Sequence, residues 1–306
     1  MKKKLIALVS LLIILTFIGY IVYDTITSSS TMESKESEKP EPVIPEKWFI
    51  FNSISVAEGK LDAVAVSANG DIFTGGESFV SCYSPDLGEK WTLKMQSRIT
   101  ALSADGDTIY ATSAELIYLI STGGKILSEW GPYEANSIIT SISASGAHIA
   151  FADAGIKRVF ILNKKGEVVS MIGQSDNRFI IPSPYFDVAL FNGNLLFVAN
   201  TGNRRVETWT MDGKFLEQFG EPGSAPGAFC GCCNPAHFTV VPQGFVTAEK
   251  GINRIKIIDQ YGKFIEFVSS KNSFTPSVPL DIASFDGITI YAANSADSKL
   301  YVFKRR

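Results

Sequence analysis

The chain has 306 residues, long enough for one large domain or two small ones. Its 28 basic and 31 acidic residues give a formal charge of -3, so there is no basic excess to suggest nucleic acid as a partner. Hydrophobic residues make up 45% of the chain, enough for a sizeable core, and 25 glycines imply many turns.

In chain order, the first element is apolar. Lys2, Lys3 and Lys4 precede an uncharged run from Leu5 to Tyr23, close to the roughly 20 residues that span a bilayer as a helix. A cleaved signal peptide would have an apolar core of about 7–15 residues and a small-residue cleavage site. Neither is evident, and no lipidation cysteine follows the run. Residues 1–23 therefore predict an uncleaved signal anchor with its lysines in the cytoplasm. The rest of the chain would then lie on the extracytoplasmic side of the cell membrane. Residues 24–46 are Ser, Thr, Glu, Lys and Pro with little to bury, and read as a flexible tether. The globular part is expected at 47–306.

From Leu61 onward one phrase recurs six times: an apolar run, a polar turn with glycine, a second run, a polar stretch, a third run, a turn and a fourth run. The passes begin at Leu61, Ile99, Ile139, Phe186, His237 and Leu280, and their turn glycines are Gly70, Gly106, Gly146, Gly193, Gly244 and Gly287. Runs rich in Val, Ile, Phe and Tyr between turn residues are strands. A period of about 40–50 residues with four strands is that of a propeller blade. The reading is all-β, a six-bladed β-propeller. The sixth pass lacks its outermost strand, and K-W-F-I-F-N-S-I-S-V at 47–56 is a strand without a blade. Filling that vacancy with 47–56 would close the ring and remove two open edges.

The phrases F-V-A-N-T-G-N-R-R-V-E-T-W-T-M-D-G-K-F-L-E-Q-F-G and V-T-A-E-K-G-I-N-R-I-K-I-I-D-Q-Y-G-K-F-I-E-F-V resemble blades of the NHL-repeat family. That pattern places an acidic or Asn position after a small-residue strand, then Gly-Asn-x-Arg-hydrophobic, then an Asp-Gly-Lys hairpin. Asn203-Arg204-Arg205-Val206 and Asn253-Arg254-Ile255 match it; Lys157-Arg158-Val159 and Ser298-Lys299-Leu300 match in part. The resemblance implies that connections between blades cross the face bearing a central funnel. Arg158, Arg205, Arg254 and Lys299 recur once per blade and suggest inter-blade ion pairs or hydrogen bonds, or a basic stripe.

One such connection carries A-F-C-G-C-C-N-P-A-H-F, residues 228–238. Gly227, Phe229 and Pro235 fit the family's scaffold pattern, whereas the cysteines are this chain's own. Three readings stand. Two of Cys230, Cys232 and Cys233 form a disulfide, favoured by an oxidising compartment. The three cysteines and His237 bind a metal such as Zn or Cu. Or the cysteines fill space, which is the reading for Cys82. The disulfide is expected, in a rigid loop at the funnel rim. The leftover thiol would pair with Cys82 or lie free beside His237.

Asp62, Thr100, Asp187, His237 and Asp281 occupy similar places at the start of inner strands. The ring of Asp62, Asp187, His237 and Asp281 could bind a ligand, or hold a divalent cation such as Ca through oxygen. Six-bladed lactonases and lyases, which resemble this plan, use a metal there. The structural alternative is that these side chains bond neighbouring backbone amides. His148, in an apolar strand, reads as structural. No nucleophile elbow, P-loop, dinucleotide fingerprint or H-E-x-x-H occurs. Two functions follow. One is a membrane-anchored, extracytoplasmic module that binds a protein, peptide or glycan through its funnel face. The other is a metal-dependent or redox-active propeller enzyme built on the cysteine loop and the funnel carboxylates.

Overall fold

The computed structural model describes residues 10–23, 44, 47–174, 178–270, 273–275 and 277–306. It divides into two units, Met1–Pro45 and Glu46–Arg306. In the first, residues 10–23 are helical with exposed side chains. Among the described residues no helix is long and apolar enough to cross a membrane. Residues 1–9 of the expected anchor, and 24–43, 45 and 46 of the expected tether, lie outside the described residues.

The second unit is a six-bladed β-propeller of four-stranded antiparallel sheets. It opens with β1 (Trp48–Ser55), which belongs to the last blade. Blade 1 is β2 (Leu61–Val66), β3 (Ile72–Gly76), β4 (Phe79–Tyr83) and β5 (Glu89–Lys94). Blade 2 is β6 (Ala101–Asp105), β7 (Thr108–Thr112), β8 (Ile117–Ser121) and β9 (Ile126–Trp130). Blade 3 is β10 (Ile139–Ser145), β11 (His148–Asp153), β12 (Arg158–Asn163) and β13 (Val168–Ile172). Blade 4 is β14 (Val188–Phe191), β15 (Leu195–Asn200), β16 (Arg205–Thr210) and β17 (Phe215–Phe219). Blade 5 is β18 (His237–Val241), β19 (Gly244–Ala248), β20 (Ile255–Ile258) and β21 (Phe264–Ser269). Blade 6 is β22 (Asp281–Ala283), β23 (Thr289–Asn294) and β24 (Lys299–Arg305), completed by β1.

Each blade is apolar on both faces because it packs between two others. The middle strands are accordingly continuous buried runs, as in β3 and β4, rather than alternating ones. Six apolar clusters result, one at each blade junction. The outer strands add a repeated contact. Trp91, Trp130 and Phe219 each lay a ring against the turn glycine of the following blade, Gly124, Gly166 and Gly262. These glycines have φ of +80°, +80° and +82°, and an added Cβ would stand under 3 Å from the ring. The Asp-Gly-Lys-like hairpin therefore needs glycine for both conformation and space.

The ring closes as the unpaired strand suggested. β1 pairs antiparallel with β24, from Trp48 opposite Arg305 to Ser55 opposite Lys299. Trp48 is buried between blades 5 and 6. Its indole Nε1 donates to Glu266 at 2.9 Å, a carboxylate that also takes Arg305 and Lys47.

Candidate functional site

The inner strands β2, β6, β10, β14, β18 and β22 surround an axial channel of about 140 Å³. That suits a few waters rather than a drug-sized ligand, which needs about 300–1,000 Å³. Its wall is mostly Ala, Ser, Thr and Val, because six strands converging on an axis favour small side chains. An innermost strand has a free edge, and its N–H groups must be satisfied across the junction. The preceding blade supplies the acceptors. Ser103 accepts from Ala144 N at 3.0 Å, Ser143 from Leu190 N at 2.9 Å, and Ser141 from Val188 N at 3.1 Å. Asp187 accepts from Phe238 N at 2.7 Å and Asp281 from Val64 N at 2.8 Å.

The funnel carboxylates thus serve the joining of blades. Asp187 is further engaged by the hydroxyl of Ser141, and Asp281 by Ile282 N at 3.0 Å. His237 stands between them, its Nδ1 3.4 Å from Asp281 Oδ1 and 3.8 Å from Asp187 Oδ2. Burial dominates the electrostatics. It pushes Asp187 up to about 6, against the attraction of His237 and the Ser141 hydrogen bond. It pushes Asp281 up to about 7, against its two backbone donors. It also lowers His237, with Asp187 working the other way. Tyr185 meets the imidazole edge-on at 6.0 Å, and the Lys250 ammonium lies 5.0 Å from the Tyr185 ring.

Of the residues singled out in the sequence, Asp187, His237 and Asp281 come together and line the channel with Thr100. Asp62 stands apart from the channel wall. It accepts a bidentate pair from Arg98 at 2.8 and 2.7 Å and a bond from Ser295 at 2.9 Å. Among the described residues no three His, Cys, Asp or Glu side chains converge to hold a metal ion. The metal expected from lactonase-like and lyase-like propellers does not fit this channel, whose carboxylate oxygens are committed to backbone amides. The set Cys230, Cys232, Cys233 and His237 likewise does not close around one ion.

The cysteine loop also departs from expectation. All four cysteines are free thiols. The sulfurs of Cys232 and Cys233 are 3.3 Å apart, well beyond the bonding distance of about 2.05 Å. Hydrogen bonds, not a disulfide, hold the loop. Arg254 donates to the carbonyls of Ser224, Ala225 and Ala228 at 3.0, 3.1 and 2.6 Å, and Lys256 to that of Ala228 at 2.6 Å. Both cations are buried and share Glu249, at 2.5 Å and 3.0 Å. Glu249 also accepts from Cys230 N at 3.1 Å. Asn234 exchanges two bonds with the Lys250 backbone, at 2.9 and 2.7 Å. Burial lowers Lys256 to about 8, against the pull of Glu249. Cys82 is a buried filler on β4, its thiol raised to about 11 chiefly by burial.

The recurring basic residues divide. Arg254 ties a connection between blades and Arg158 reaches Glu134 at 3.8 Å, while Arg205 pairs with Glu207 on its own strand at 2.8 Å. His148 bonds the Gly193 carbonyl of the next blade at 2.9 Å, a structural role. Arg98, Lys250, Glu249 and Lys256 escaped the sequence reading. The signal available was position: Arg98 directly precedes the second pass, and Glu249 fills the acidic slot of the NHL-like pattern.

No family model matches the chain, and no curated protein matches it, so membership of the NHL family is not established. Solved structures do match. Virginiamycin B lyase from Staphylococcus aureus, a catalytically inactive histidine-to-alanine variant with quinupristin, covers 85% of this chain and 100% of its own. It is 16% identical, with a TM-score of 0.60. The WD40 propeller of Doa1 is 12% identical, covers 80% and 79%, and has a TM-score of 0.57. The propeller of Cps50 (Swd1) from Myceliophteria thermophila is 13% identical, covers 85% and 100%, and also has a TM-score of 0.57. At these identities the likeness is one of fold.

Proposed function

We propose that the chain is a membrane-anchored binding module that offers its funnel face to an extracytoplasmic protein, peptide or glycan. The observation that carries this reading is the use of Asp187 and Asp281. The groups that would otherwise serve a reaction are acceptors for the amides of neighbouring blades. What remains for a partner is the rigid rim, with Arg98, Ile180 and Cys232 exposed and Tyr185 and Lys250 half-buried. A propeller fold does not choose between binding and catalysis.

A second reading keeps one observation of its own. His237 stands between two carboxylates whose burial raises them towards neutrality, an arrangement suited to general acid–base work. The deciding experiment places a photocrosslinking residue at Tyr185 or Ile180, and for comparison at Tyr261 on the far face, in the native membrane. Adducts of one discrete mass confined to the funnel positions support binding there. Adducts equally frequent at Tyr261, or none at either face, refute it.

A further inference from the structure

The binding platform leaves one feature unused. Cys232 and Cys233 are adjacent in the chain with sulfurs 3.3 Å apart; Cys232 is exposed at the rim and Cys233 is buried beneath it. Their loop is held on both sides, by Asn234 across to Lys250 and by Glu249, Arg254 and Lys256 below. The Arg204 guanidinium also donates to the Gly231 carbonyl at 3.3 Å.

We propose that Cys232 and Cys233 form a two-thiolate clamp for a soft, thiophilic ion of the Cu(I) or trivalent-metalloid kind, taken up from the funnel side. Thiolates select soft ions over hard ones. A structural zinc site needs four donors, and this pair has no third His, Cys, Asp or Glu beside it among the described residues. Cys230 is tied to the blade through its amide, which donates to Glu249 at 3.1 Å. Burial, with the neighbouring Cys232, holds the Cys233 thiol above its ordinary value while the Ser183 hydroxyl and the Lys250 ammonium act in the opposite sense, so the ion displaces protons as it binds. That hydroxyl is buried and has no oxygen or nitrogen partner. A pair fixed before binding loses little conformational entropy on capture.

The chemistry balances without an oxidant. With Cu(I), two S–H protons leave and two S–Cu bonds form, the metal staying Cu(I). With phenylarsine oxide, two As–S bonds replace the bond from arsenic to oxygen. That oxygen leaves as water with both thiol protons, and arsenic stays trivalent.

The clamp is independent of what the funnel face binds and is tested on the full chain, detergent-solubilised, reduced and free of oxygen. Phenylarsine oxide is one probe, read by intact mass in excess monothiol. Cu(I) delivered from a chromogenic chelator is the other, read by chelator colour and a near-ultraviolet thiolate band. One equivalent is expected with either probe or both, and the positive arm names the kind of ion. Occupancy should fall to none in Cys232→Ser and in Cys233→Ser and stay at one in Cys230→Ser and Cys82→Ser. Thermal melting verifies that each variant is folded; Cys232→Ser, at an exposed position, decides if Cys233→Ser is not. Equal binding by Cys232→Ser and the wild type, or no binding in either arm, overturns the proposal.

Discussion

Replacing Trp48 with alanine tests the ring closure at a single side chain. The indole is 3% exposed and packs into the cluster shared by blades 5 and 6. Losing a buried Trp costs about 3–5 kcal/mol in transfer and cavity terms. The lost bond to Glu266 adds about 1 kcal/mol at most, because Arg305 and Lys47 still pair with that carboxylate. A total of about 3–6 kcal/mol, at about 2 °C per kcal/mol for a domain this size, lowers the midpoint by about 6–12 °C. Phe49 and Phe51 lie on the same strand but are 38% and 54% exposed. Their alanine variants should lose under about 1 kcal/mol. The assay is thermal and guanidinium unfolding of the full chain in detergent. Deleting residues 1–44 should leave the transition in place, whereas deleting to Val56 should abolish it or bring it down steeply. If Trp48→Ala unfolds like Phe49→Ala, or the two truncations melt alike, closure through β1 contributes no stability and the reasoning fails.

Asp187 and Asp281 are raised in the folded state, so their stabilising contribution is complete below about pH 4 and is lost as pH rises through about 6–7. His237, lowered by burial, contributes the other way and loses stability as pH falls. Relative to the wild type, Asp281→Asn should gain about 2–4 kcal/mol between pH 4 and pH 7; a constant difference in guanidinium unfolding across that range counts against the assignment. Glu249→Ala leaves Arg254 and Lys256 buried without a counter-charge, at about 3–5 kcal/mol. It should also speed hydrogen exchange of the Cys230 amide, and unchanged exchange there would dismiss the proposed support of the loop. For topology, protease added to intact spheroplasts should digest the propeller or its tether; complete protection contradicts an extracytoplasmic propeller.

The fold was legible because the repeat is written in turn chemistry. Six glycine turns at blade spacing, and a spare strand at Trp48 facing a blade one strand short, determine ring number and closure together. The carboxylates of the channel were legible as positions but not as roles. Asp62, Asp187 and Asp281 share a place in their repeats, yet Asp62 meets Arg98 while the other two meet backbone amides. Which of these happens depends on the connection of the neighbouring blade, which the local repeat does not encode. The cysteine loop misled for a related reason. Sulfur count and compartment favoured a disulfide, but the rigidity attributed to that bond comes from Arg254 and Lys256, whose partners are carbonyls without a sequence signature.

Those two cations give the loop its distinct character. In blade 4 the corresponding basic residue, Arg205, pairs with Glu207 on its own strand. In blade 5 the strand places Lys256 where blade 4 has Glu207, and the carboxylate moves to Glu249, one residue past β19. Two buried positive charges then need more acceptors than one carboxylate offers, and the 224–228 carbonyls supply them. The connection is drawn down onto the blade, with Phe229 fully buried against Lys256. The residues that follow, Cys230 to Cys233, are therefore delivered to the rim from a fixed base. A Lys256→Met, Arg254→Met, Glu249→Leu triple variant would roughly keep the volume while removing both buried cations, their carboxylate and the demand on those carbonyls. It should melt near the wild type yet exchange the 224–233 amides faster. Unaltered exchange in that variant would mean that Phe229 packing alone holds the loop.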